Sequence, residues 1–496
     1  MSDPVGPWHD GLLDRMQYVA DPLADVAVAR IVGPWPILPE DASADALRAA
    51  HGEQWRRLSV ATRLLSDMQS AEAGPGGQRP PLASLIGDET SAPGLGEVLR
   101  DFVAEGSQLP DWAEPAKIER AEKLFIEYGP LSCVLLFCAS LPECYVIPDL
   151  ALVLNASGQL EQRTDYRIRM TAAMIFPVMM KGGMAANGSG VAQVLKVRLI
   201  HATIRHLILH ETPHHAVERL GEVGREDASA GIVPAHAALA GSPAMFETMS
   251  GHGWKLGADG LPCNQEELGY TLLTFGYVFL RSLRRLGIGL AKDDEEAFLH
   301  CWNVAGHVLG ITTELMPRTM DEAEALFARM QARGRADPID PDPRPLLGRA
   351  LVGAMAQAIP IGLLKPFPGL MLRHLCGAET ARDLGVGGPV GTAAGLLFSF
   401  VMLTTRAIDS IGRVFDADFS ISRFITRIAG YRFVTGLLMD QTRPLALPEH
   451  LRRRVDTMMD AWGDDPKAPG WVNRIEDRLT TPGSWRTATR PRPGRG

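Results

Sequence analysis

Apolar residues recur at three- and four-residue intervals along most of the chain and strict alternation is scarce, so the pattern predicts helices rather than strands. Before residue 93 it predicts two short helices, around Asp10–Val19 and Ala44–Ser66, and then a Gly/Pro-rich linker or surface loop, AGPGGQRPP (Ala73–Pro81). Helical patterns continue near Gly94–Glu105, Pro115–Ser140, Gln162–Met180, Gly190–His210, Asn264–Leu286, Asp293–Leu315 and Met320–Arg335. The punctuation ADPIDPDPRP (Ala336–Pro345) breaks the pattern before a last helical region, Leu346–Trp462. The expected architecture is all-α, in three segments: an N-terminal helical extension and linker (1–92), a core (93–335), and a C-terminal helical region ending in a basic tail (336–496). The uncharged run Val386–Thr405 approaches the length of a membrane span. Its Gly and Pro content favours a buried core helix, with a peripheral membrane contact as the alternative.

One helix departs from this apolar plan. KVRLIHATIRHLILH (Lys196–His210) holds three histidines and three other basic residues with no acid among them. At about 100° per residue, Arg198, His201 and Arg205 fall within about a 60° arc. An imidazole flanked by two guanidiniums suits an anionic cofactor with a metal centre, the His ligating iron and the arginines pairing carboxylates at the rim. Haem fits that description, and with no CxxCH motif it would be held non-covalently, as haem b. The plainer alternative is a hydrogen-bonded core histidine, with arginines paired to acids of another helix. A second element, DYRIRMTAAMIFPVMM (Asp165–Met180), sets Arg167 and Thr171 one turn apart, placed to orient O2, ahead of a Met-rich run that can line an apolar cavity. Its plainer alternative is an exposed helix start with a core-facing Met stripe. The intervening KGGMAANGSG (Lys181–Gly190) reads as a flexible turn that lets the two helices run antiparallel.

Composition narrows the function classes. With 496 residues, 46% of them apolar, the chain can bury a large core. A net charge of -8 argues against a general nucleic-acid binder, which needs a basic face. Six scattered cysteines and an N-terminus without a signal-peptide pattern point to a reducing, cytoplasmic setting. HLILHETPHH (His206–His215) offers a competing non-haem metal site, since His206 and His210 lie one turn apart, but it has no HExxH and Pro213 ends the helix. His300, His307 and Trp302 read as core residues; His307 is the better candidate for a supporting role because Gly306 admits a close neighbour.

Five blocks, in order within Gly94–Arg335, resemble the haem-dependent oxygenases that include latex clearing protein and the endoplasmic-reticulum oxygenase MpaB. They are SLPECYV (Ser140–Val146), Arg167-x-x-x-Thr171, KVRLIHATIRH (Lys196–His206), CNQEELGYTLLTF (Cys263–Phe275) and EEAFLHCWNVAGHVLGITTELMP (Glu295–Pro317). The resemblance implies a globin-like helical core, haem b with His201 as the iron ligand, Arg198 and Arg205 beside the haem, and Arg167 with Thr171 on its other side. It also implies O2-dependent cleavage of a carbon–carbon double bond in an isoprenoid or other apolar alkene. Met170 stands where latex clearing proteins carry Lys, a departure from the rubber-cleaving pattern, and Glu143 and Glu161 are the nearby candidates for the family's proposed base. The alternative within the same fold is a haem or lipid binder without turnover.

Overall fold

The computed structural model describes residues 8–34, 39, 42–69, 71, 79–87, 92–156, 164–223, 232–233, 249, 253–336, 341–357, 359, 361–388 and 391–415. Among them the chain is helical almost throughout, as the periodicity predicts, and one two-residue antiparallel pairing (Ile232–Val233 with Trp254–Lys255) supplies the strands. The helices before the site are α1 (Asp10–Met16), α2 (Pro22–Val32), α3 (Ala44–Met68), α4 (Leu95–Gly106), α5 (Pro115–Tyr128), α6 (Pro130–Leu135), α7 (Leu141–Cys144), α8 (Pro148–Ala156) and α9 (Thr164–Met179). Then come α10 (Ser189–Leu209), α11 (Pro213–Val223), α12 (Leu256–Asp259), α13 (Gln265–Phe275), α14 (Tyr277–Arg285), α15 (Lys292–Val308) and α16 (Met320–Ala336). A last layer holds α17 (Arg344–Gln357), α18 (Phe367–Cys376), α19 (Ala378–Asp383) and α20 (Thr392–Phe415).

One continuous apolar cluster runs from Trp8 through the body to Leu384, so all three expected segments contribute to the same core. The centre of the packing is α10, which lies against α2, α3, α9 and α15. Hydrophobic burial is the main driving force for that arrangement, and it places a helix from the N-terminal extension directly against the histidine helix.

Several expected helices are broken, and the residues at the breaks say why. The stretch expected as one helix over Pro115–Ser140 turns through 90° between α5 and α6. Gly129 sits there at φ 49°, and Pro130 lacks the N–H that would continue the ladder. A single π-turn, Leu136–Ser140, then carries the chain into α7. Gly276 likewise divides Asn264–Leu286 into α13 and α14, and α15 ends at Val308, just before Gly310 at φ 87°. The run Val386–Thr405 is not the buried helix expected of it. On α20 Leu396, Phe400 and Leu403 are exposed, while Phe398 packs against Phe367. Its apolar residues surround the helix, and only one side meets the core. No single helix among the described residues is long and apolar enough to cross a membrane. The part of the C-terminal region after Phe415, including the basic tail, lies outside the described residues, as does the linker segment 72–78.

The α9–α10 connection is close-packed rather than flexible. Gly190 N–H donates to the Gly183 carbonyl (2.9 Å), and Gly182 N–H donates to the buried Glu122 carboxylate of α5 (2.9 Å). A Cβ on Gly183 would lie 2.1 Å from the Pro177 carbonyl oxygen and 2.7 Å from that of Val178, both backbone atoms that cannot step aside. Gly183→Ala is therefore expected to lower the unfolding free energy by at least about 2 kcal/mol in chemical denaturation. Gly87→Ala, whose Cβ would meet nothing within 4 Å, should stay within about 0.5 kcal/mol of the parent.

Candidate active site

The site grows from the first turn of α2. Asp21 caps that helix, its carboxylate accepting from Ala24 N–H (3.5 Å), and Pro22 follows at the first helical position, where its missing N–H does no harm. One turn on, Asp25 accepts from the Asp21 N–H (3.1 Å). Both aspartates are buried, and both are engaged by α10.

Arg198 forks onto Asp21, Nε to Oδ2 at 2.6 Å and Nη2 to Oδ1 at 2.8 Å, and its Nη1 reaches the Val308 carbonyl at 3.1 Å. Arg205 donates through Nε (2.9 Å) and Nη2 (2.8 Å) to Asp25 Oδ1, with Nη1 on the Cys263 carbonyl at 2.6 Å. Cys263 offers that carbonyl from a left-handed conformation, φ 53°. Gln265 ties the same junction together, donating to Ala20 and Gly310 carbonyls (3.0 and 2.8 Å) and accepting from Thr312 N–H (2.8 Å). Burial pushes the Asp25 carboxyl up, against the opposing pull of Arg205.

Each guanidinium already holds a carboxylate of its own chain, the plainer arrangement for arginines on an apolar helix, because desolvating either charge without a partner would be prohibitive.

Between the two pairs His201 is half-buried, and its Nδ1 is buried with no hydrogen-bond partner. Burial, and then the Arg205 charge, hold its imidazole down at about 4, so near pH 7 it is neutral and has a lone pair to give. The surface beside it on α10 is apolar and half-open: Val197, Ile200 and Ile204 are neither sealed nor fully exposed. On the facing α9, Met170, Thr171 and Met174 are half-buried too. The Arg167 side chain, and all of Glu161, lie outside the described residues.

The competing histidine cluster does not assemble among the described residues. His210 caps α10 at φ 58°, Glu211 pairs with Arg219, and His214 pairs with Glu218 (3.2 Å). No group of three or more His, Cys, Asp or Glu side chains suited to a metal ion occurs there. A porphyrin brings four ligands of its own and asks the protein for one axial donor, which a lone His201 can supply. His300 accepts the Glu114 N–H (2.9 Å), and both His300 and His307 meet Trp112 edge-on. Gly306 does admit a neighbour: a Cβ there would lie 2.6 Å from Leu272. Trp302 is a core residue stacked on Phe275.

Glu143 belongs to a different network. Its fully buried carboxylate accepts from Arg281 (2.5 Å), Gln331 (2.7 Å) and Thr380 (3.2 Å), and its carbonyl accepts from Tyr270 (2.9 Å). Arg335 extends the chain to Thr380 (3.0 Å) and Asp383 (2.8 Å), fastening α19 to α16. The carboxylate thus serves a structural cluster, and burial beside it pushes the Tyr270 phenol well up.

Sequence reasoning missed Asp21 and Asp25 because α2 was not among its expected helices. The signal was present as DPLAD, an N-capping Asp before Pro with an acid in the first turn.

Two outcomes follow for stability. Asp25→Ala leaves a buried guanidinium without its counter-charge and should lower the unfolding free energy by roughly 3–5 kcal/mol, whereas Asp294→Ala, which removes one of the two acids paired with the half-exposed Arg120, should change it by no more than about 1 kcal/mol. Burial, aided by His210, also holds His206 down at about 4 against an ordinary 6.5. The unfolded chain therefore takes up that proton first, and the stabilisation from the neutral ring, complete above about 6.5, is lost as pH falls toward about 4. Urea titrations should show His206→Gln losing less stability than the parent between pH 7 and pH 5. Equal losses would contradict the assignment.

Comparison with known proteins shows what this chain is similar to. Residues 235–407 match the family model described as ER-bound oxygenase mpaB/B'/Rubber oxygenase, catalytic domain, a stretch that contains α13 and α15 and begins after α10. The rubber oxygenase of Streptomyces sp. (strain K30) is 25% identical over 303 residues, covering 60% of this chain and 63% of that protein. The solved structure described as Latex Clearing Protein LCP in the closed state aligns over 90% of this chain and 91% of its own with a TM-score of 0.52 at 17% identity, a likeness of fold. The all-α, globin-like architecture, the matched domain and the curated relative all liken this chain to the MpaB and rubber oxygenase family.

Proposed function

We propose that the protein is a haem b oxygenase that cleaves a carbon–carbon double bond in an isoprenoid or other apolar alkene with O2, and that His201 is its iron ligand. The observation that carries this reading is the His201 ring itself: neutral near pH 7, unpartnered at a buried Nδ1, and set at the edge of a half-open apolar surface in the middle of a packed helix. A buried polar atom without a partner is disfavoured in a finished core, so a ring left in this condition favours a ligand that the imidazole meets.

Haem, when bound, supplies the iron chemistry that activates O2 toward an alkene. The chain's own contribution is fourfold. His201 offers a neutral nitrogen donor. Val197, Ile200 and Ile204 on α10, and Met170 and Met174 on the α9 packed against it, are apolar and half-buried, a lining suited to a greasy chain. Methionine adapts to irregular apolar shapes, which fits an elongated alkene better than a rigid polar substrate. Thr171, half-buried on α9 next to Met170, is proposed to orient a small polar reactant. Arg167, one turn before it, is proposed for the same task.

The relatives support the reading in coarser form, since the Streptomyces protein is named a rubber oxygenase and the matched domain is that of oxygenases. Met170 in place of Lys turns the proposal toward small isoprenoid or alkene substrates rather than rubber. Six cysteines, all free and buried, favour a reducing, cytoplasmic setting.

Purified protein supplied with haemin should develop an intense band near the blue end of the visible spectrum, and His201→Ala should abolish it while retaining helical circular dichroism. The loaded protein should consume O2 with a prenyl alcohol or a carotenoid-like alkene. Protein that stays colourless in excess haemin would refute the proposal; a band without O2 consumption would point instead to a haem or lipid binder.

A further inference from the structure

We infer that Asp21 and Asp25 are positioning residues for His201: without any hydrogen bond to the imidazole, they hold the turn of α10 that aims it. This rests on the haem reading above, and it concerns a helix that no sequence block of the resemblance includes.

A histidine that ligates a metal is ordinarily aimed by a hydrogen bond from its other ring nitrogen, which fixes both tautomer and direction. Among the described residues no hydrogen bond holds either nitrogen of the His201 ring, so whichever one binds the iron, the other has no such partner. The direction of the side chain must then come from the backbone that bears it.

That backbone is held at two points. Arg198 and Arg205 lie seven residues apart, about 10.5 Å along the helix axis, and bracket His201 on either side. Their partners are carboxylates one turn apart at the start of α2. One attachment would leave α10 free to swivel about it, whereas two remove both swivel and slide. Each guanidinium is also tied to a third element, Arg198 to the Val308 carbonyl at the end of α15 and Arg205 to the Cys263 carbonyl just before α13. The fit is close. At Gly310, which has φ 87°, a Cβ would lie 2.5 Å from Asp21 Oδ2 and 2.8 Å from Arg198 Nε, so the loop can pass the pair only as glycine.

The test uses Asp21→Asn and Asp25→Asn, which keep a capping oxygen on α2, together with the charge-balanced Asp25→Asn/Arg205→Gln and the control Asp294→Asn. Each is loaded with haemin. Two quantities are read: the rate of haem transfer to excess apomyoglobin, and the iron–histidine stretching band of the ferrous protein by resonance Raman spectroscopy. The expected result is haem loss faster by about tenfold or more, with a shifted or broadened band, in every clamp variant that retains native circular dichroism; the control should match the parent. Clamp variants that unfold more readily yet keep haem at the parent's rate with an unchanged band would overturn the inference and leave the haem reading standing. If the single variants fail to fold, the charge-balanced double variant, which leaves no buried charge alone, decides between the same two outcomes. A parent that takes up no haemin would overturn both.

Discussion

Two buried ion pairs, Asp21 with Arg198 and Asp25 with Arg205, are the constraint on which the rest of the site depends. Placing four charges in a core is expensive, and such pairs often add little to net stability compared with apolar residues of the same size. What they add is specificity of position. Neither guanidinium can leave its aspartate without stranding a charge away from water, so α2 and α10 have one register. The carbonyls of Val308 and Cys263 complete the donors' partners and draw two further segments to the same point.

Around this fixed point the chain divides its polar groups by task. The Glu143 cluster, with Arg281, Gln331, Tyr270 and Thr380, fastens the C-terminal layer to the body. The Asp–Arg pairs are saturated and fasten the N-terminal helix. His201 combines a buried, unpartnered nitrogen with half-buried apolar neighbours on its own helix. The neutrality of the ring belongs to the same design, because the burial that leaves Nδ1 without a partner also disfavours its protonation.

Much of this was legible in the residues. The three- and four-residue spacing located most helices, including the histidine helix, and its arc correctly placed Arg198, His201 and Arg205 on one side. The errors have local physical causes. Gly129–Pro130 and Gly276 break helices that periodicity runs straight through, since a glycine and a proline carry no sign of which way the chain turns. The α9–α10 connection reads as flexible from its glycines, but those glycines are there because backbone approaches backbone too closely for a Cβ. What the residues left open was which acids the two arginines pair with. Helical spacing gives the direction of a side chain from its own axis and says nothing of the partner opposite, so carboxylates almost 180 residues away in sequence were invisible until α2 was seen packed on α10.

The most direct test of the account is a crystal structure of the protein grown with haemin. It predicts a porphyrin whose iron bonds to a His201 ring nitrogen, lying along the apolar surface of Val197, Ile200 and Ile204, with both guanidiniums still on Asp21 and Asp25. A porphyrin seated elsewhere, or arginines that abandon the aspartates for its propionates, would contradict it.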